Sequence, residues 1–76
     1  MIRVIVGTVT QRTEKNYSAD TTLRTILEDN GVDYSVAQIM LDGANLKAGE
    51  MDNTLADMNV KEKCMLIAVV KADNAR

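Results

Sequence analysis

The 76-residue sequence contains no histidine, proline, tryptophan or phenylalanine, one cysteine and only two tyrosines. Each absence narrows what the chain can do. Without histidine, the usual general base and metal ligand near neutral pH is missing. The carboxylates do not make up for it. Glu28 and Asp29 fall near the end of a helical stretch, and Glu50, Asp52 and Asn53 lie in a loop that lacks the spacing of a calcium-binding hand. No catalytic residue, cofactor site or metal site is expected. Cys64 alone excludes an intramolecular disulfide and a cysteine metal cluster. It stands in an apolar strand-like run, which reads as buried filler, and a lone thiol fits the reducing cytoplasm as the expected location.

Charge and hydropathy exclude two further classes. Nine Lys and Arg face eleven Asp and Glu, for a formal net charge of −2, and no basic block or aromatic-interleaved basic stripe occurs. Nucleic acid is therefore not an expected partner, since that footprint is electrostatic first. The longest apolar run, residues 64–70, is far too short to span a membrane. The N-terminal MIRVIVGT reads as a strand, without the length or cleavage site of a signal peptide.

What is present is a supply of Ile, Leu, Val and Met sufficient for one small core. Ile2, Val4 and Val6 alternate with Arg3 and Ile5, as in a strand with one buried face. VTQRTEKNY is polar and extended, with Thr13, Lys15 and Tyr17 inward in one register, and reads as an edge strand whose lysine discourages edge pairing. In SADTTLRTILEDNGV, Asp20, Thr21 and Thr22 are candidate N-caps. Leu23, Ile26 and Leu27 share one helix face, and Asn30-Gly31 is a stop signal. VAQIMLDG sets Ala37, Ile39 and Leu41 against Gln38 and Met40 before a turn at Asp42-Gly43. Leu46 is placed at the start of a brief fourth strand, AGEMDN reads as a loop, and TLADMNV as one 3₁₀-like turn. In CMLIAVV, Cys64, Leu66, Ala68 and Val70 take one face, and Met65, Ile67 and Val69 the other. This order predicts an α+β fold of the β-grasp type: a mixed four- to five-stranded sheet, its terminal strands paired in parallel at the centre, with one helix packed across it. Residues 1–70 form the expected domain and 71–76 a flexible tail.

The segment LDGANLKAGEMDNTLADMNVKEKCMLIAVV resembles ubiquitin in its pattern of aliphatic, Gly turn, Leu, Gly, Thr-Leu-x-Asp-x-Asn-aliphatic and final apolar strand. Gly43, Leu46, Gly49, Thr54, Leu55, Asp57, Asn59, Val60 and Leu66 carry the likeness. The loop between Gly49 and Thr54 is longer than the ubiquitin pattern, and the short helix is more like the sulfur-carrier branch of the ubiquitin-like family. That family acts covalently through a terminal diglycine, where a Cβ is not tolerated beside the adenylating centre. The matching positions here are Asn74 and Ala75, with Arg76 after them, and Ala44 and Glu62 stand at two linkage-lysine positions. The resemblance therefore implies a non-conjugating member, such as the small ubiquitin-like components of bacterial type VII secretion loci. It implies that Asp57 and Asn59 organise the turn before the last strand. It also implies an apolar protein-binding patch at Val9, Met40, Ile67 and Val69, extended by Ile5 and Met65. The expected function is that of an adaptor docking on a protein partner or on a copy of itself. The alternatives are a covalent modifier or sulfur-carrier-like protein activated at its C-terminus by an adenylating enzyme, and a structural component of a larger assembly.

Overall fold

The structure, a computed structural model, describes residues 1–70; the expected tail, 71–76, lies outside the described residues. Strands β1 (Ile2–Thr8) and β2 (Arg12–Tyr17) make a hairpin, followed by helix α1 (Leu23–Asp29), β3 (Ala37–Leu41), β4 (Ala44–Asn45), a 3₁₀ helix over Ala48–Asp52, and β5 (Lys63–Val70). The five-stranded sheet has the order β2-β1-β5-β3-β4. β1 and β5 are parallel at its centre, and every other pair is antiparallel. With α1 across one face, this is the expected α+β architecture of a β-grasp.

Period-two alternation sorts the strands into two faces. Ile2, Val4 and Val6 of β1, Ile39 and Leu41 of β3, and Cys64, Leu66 and Ala68 of β5 are buried beneath the helix. Leu23, Ile26 and Leu27 of α1 close over them, and Leu46, Met51, Leu55 and Val60 complete a single core. β2 does take the register that turns Thr13, Lys15 and Tyr17 towards the helix side, opposite Val6, Val4 and Ile2. At this edge the helix covers little, so Tyr17 reaches its end instead. The Tyr17 hydroxyl donates to Asp29 Oδ2 (2.6 Å), Asn30 Nδ2 donates to the Tyr17 hydroxyl (2.9 Å), and Lys15 Nζ lies 3.5 Å from the same Asp29 oxygen. The hydrogen bond from Tyr17, then the Lys15 charge, hold the Asp29 carboxyl below its ordinary range.

Of the three candidate caps, Thr22 is the one used: its hydroxyl accepts from the Thr25 amide at 3.2 Å. At the other end Gly31 sits at φ +69°. Its amide bonds to the Glu28 carbonyl while the Val32 amide bonds to that of Leu27, so two otherwise unpaired helix carbonyls are satisfied.

Two local readings need correction, and one holds. AGEMDN is not a loop but contains the 3₁₀ helix, held by the Lys47 amide donating to Glu50 Oε1 (2.9 Å) and by the buried anchor Met51. Residues 55–59 form the single turn expected of TLADMNV, with 3₁₀-type bonds from the Met58 amide to the Leu55 carbonyl and from the Asn59 amide to the Ala56 carbonyl. β4 ends at Asn45, before Leu46, which is buried in the core. Asp57 works as expected, since its carboxylate accepts from the Thr54 amide and its own amide donates to Thr54 Oγ1, both at 3.0 Å. Asn59 acts through its backbone, adopting φ +63° so that the Val60 amide reaches the Leu55 carbonyl.

Candidate interaction surface

The sheet face opposite α1 has no element of the described chain packed over it. Its middle is apolar because β1, β3 and β5 each place apolar residues at their outward positions. In strand register, Ile5 stands beside Met65 in the parallel pair, and Met40 beside Ile67 in the antiparallel pair. Val69 follows Ile67 on the same face of β5, next to Gln38. Ile5, Met40, Met65, Ile67 and Val69 are all half-buried, each flanked by its neighbours and open above.

Val9 completes the set from the hairpin tip. It is 56% exposed and shares a shallow depression with Thr8, Thr10, Ala68 and Val69. The structure thus brings together the four positions named from the sequence. Met40 and Ile67 are cross-strand partners, Ile67 and Val69 lie on one face of β5, and Val9 lines the same depression as Val69. Ile5 and Met65 extend the cluster along β1 and β5.

Two backbone features, whose partners across the sheet residue patterns did not reveal, hold this surface in shape. Gly7 lies opposite Ile67 in the sheet and leaves a gap in the apolar row. A Cβ there would come within 2.1 Å of the Gln11 carbonyl oxygen, because the hairpin closes tightly over it: the Thr8 amide donates to that same carbonyl, and the Gln11 amide to Thr8 Oγ1. The second feature is Asp42, at φ +52° in the turn between β3 and β4. Its amide donates to the Met65 carbonyl and its carboxylate accepts from the Met65 amide, both at 2.9 Å, fixing the start of the outward row on β5. A Gly7 or Asp-Gly signal is visible in sequence, but the partners across the sheet are not.

Polar residues ring the apolar middle. Arg3 and Glu14 pair at 2.8 Å across β1 and β2, Arg12 and Asn16 lie farther along the edge, and Gln38 Nε2 donates to the Leu46 carbonyl at 3.3 Å. A second depression lies on the helix side, between the hairpin and the end of α1, lined by Val6, Thr13, Gly31, Val32 and Val36 among others. No group of three His, Cys, Asp or Glu side chains converges on a common point among the described residues. No helix among them is long and apolar enough to cross a membrane.

Cys64 is buried at 2% exposure, on the inner face. Burial first, and the nearby Asp42 charge second, push its thiol up from 9.0 to about 11. The thiolate is the reactive species, so the folded chain is expected to resist a disulfide reagent at pH 8 and to react on denaturation. A raised thiol pKa favours the protonated native state. Its contribution to stability is complete below pH 9 and declines as pH rises from 9 towards 11. Thermal melts of the wild type and Cys64→Ala across that range check the sign: the difference between them should shrink as the medium becomes alkaline. Rapid labelling of the native thiol would contradict the burial.

Compared with known proteins, the chain matches no family model, and no curated protein matches it significantly.

Proposed function

We propose that the chain is a non-conjugating, ubiquitin-like interaction module that docks on a protein partner through the open face of its sheet. Val9, Met40, Ile67 and Val69 are the anchoring residues, and Ile5 and Met65 widen the contact. One observation supports the reading: six apolar side chains gather on the sheet face that no element covers among the described residues, bordered by polar side chains. The open face of an antiparallel or mixed sheet ordinarily alternates to polar residues, and a contiguous apolar group there marks a binding surface. The two methionines suit such a role, since an unbranched thioether adapts to partners of differing shape. Truncating central anchors of this kind typically costs on the order of 2 kcal/mol or more of binding energy.

The test is direct. Met40→Asp and Ile67→Asp, separately and together, place a charge in the middle of the face while leaving the inner face untouched. Capture from the native host is expected to fail with these variants, while Cys64 remains protected and the fold intact. Retention of the same partners by the folded double variant would overturn the reading. A structural role in a larger assembly would instead appear as self-association of the purified chain, abolished by the same substitutions.

A further inference from the structure

We infer that the free edge of β2 pairs with the β2 edge of a second copy of this chain, antiparallel and in the register that sets Thr13 opposite Thr13. β2 is a six-residue outer strand, paired with β1 over its whole length without a bulge, and residues 12–16 are exposed. The Thr8 amide bonds to the Gln11 carbonyl, and the alternation of an antiparallel ladder then directs the backbone groups of Thr13, Lys15 and Tyr17 to β1. Those of Arg12, Glu14 and Asn16 point to the open edge, where an extended chain can hydrogen-bond to them.

The charge pattern selects the occupant and the register. Two copies joined about a two-fold axis perpendicular to the sheet keep like faces on the same side, so residues of the same face must oppose each other. Centring on Thr13 sets Arg12 of each copy against Glu14 of the other, twice over, and Gln11 against Lys15. Centring on Arg12, Glu14 or Lys15 opposes like charges, and centring on Asn16 or Tyr17 pairs little of the strand. Opposite charges directly across a ladder are favourable and like charges are not.

The side chains are already disposed for this register. Arg12 makes no ion pair among the described residues, and Glu14 is held on the outer face by Arg3 at 2.8 Å, with a second oxygen open to another guanidinium. Lys15, the residue that would ordinarily guard such an edge, is drawn to the helix side by Asp29 at 3.5 Å. The other edge, β4, has only two residues and offers no comparable ladder. The pairing is short, so it forms at high protein concentration. It produces a continuous sheet in which the apolar faces of two copies lie side by side.

The experiment is a concentration series of the full chain by sedimentation and amide NMR. Concentration-dependent dimerisation is expected, with shift changes confined to residues 11–16 and slowed exchange of the Arg12 and Glu14 amides. Arg12→Glu and Glu14→Arg are each expected to weaken self-association by about tenfold or more, by opposing like charges. An equimolar mixture of the two variants restores Glu–Arg opposition at both positions and is expected to associate as a heterodimer. A chain that stays monomeric at millimolar concentration overturns the inference, as does association whose shift changes centre on Met40 and Ile67. Should Glu14→Arg fail to fold against Arg3, the wild-type shift map and Arg12→Glu decide the matter.

Discussion

Replacing Gly7 by alanine is expected to destabilise the chain by about 3 kcal/mol, although the residue lies on the surface side of the sheet and an alanine adds one carbon. The reason is the close approach of backbone to backbone. At φ +153° the new Cβ would lie 2.1 Å from the Gln11 carbonyl oxygen and 2.9 Å from Arg12 Cα. Neither atom is the end of a flexible side chain, so the hairpin itself must open. Opening it breaks the bond from Thr8 to Gln11 and displaces Val9, the proposed anchor at the tip. A domain of this length has a total stability of roughly 4–11 kcal/mol, so the loss is a large fraction of it. Gly49→Ala is the control, since a Cβ there meets nothing within 4 Å. Urea denaturation should separate the two clearly, and equal midpoints would show that the hairpin is not closed over Gly7 as described.

Leu66→Ala is expected to cost about 3–5 kcal/mol, while Ile67→Ala, one residue along, costs about 1. Leu66 is fully buried, flanked by Val6 of β1 and Leu41 of β3 beneath the helix. Removing its side chain leaves a cavity among neighbours already held by the sheet, which cannot collapse to fill it. Ile67 is half-buried on the opposite face, and water fills whatever its truncation leaves. The contrast between adjacent residues tests the face assignment of β5, on which the position of the proposed binding surface depends. Similar costs at both positions would mean that the outer face is structural core in its own right.

Much of this arrangement is legible in the residue order. The strands at both ends of the domain alternate strictly enough that Val4, Val6, Leu66 and Ala68 are sorted from Ile5, Met65, Ile67 and Val69 by period alone. The short helix declares its stripe, its cap region and its stop. Even the inward set of β2 is correct, because it follows from pairing with β1. The missed features share a physical cause: each depends on atoms far apart in sequence or on a backbone angle. The 3₁₀ helix at 48–52 has a polar composition, and its order comes from Met51 reaching the core and Glu50 returning to the Lys47 amide. Asn59 matters for a positive φ, not for its amide group. The bond from the Met65 amide to Asp42 spans 23 positions, and no local pattern announces it. Of the candidate surface, the outward positions on the strands were legible and the placement of Val9 was not: that it lines the same depression as Val69 depends on how tightly the hairpin closes.

The role of the open face is tested most directly by affinity capture from the native host with four full-length or near-full-length baits. These are the wild type, Met40→Asp/Ile67→Asp, Arg12→Glu, and a chain truncated after Lys71, each checked for a protected Cys64 thiol and resolved on denaturing gels. Docking through the sheet face requires that partners be non-covalent, retained by the truncated chain and by Arg12→Glu, and lost with the charged pair. Covalent adducts that persist with the charged pair and vanish on truncation would contradict it and move the function to the C-terminus.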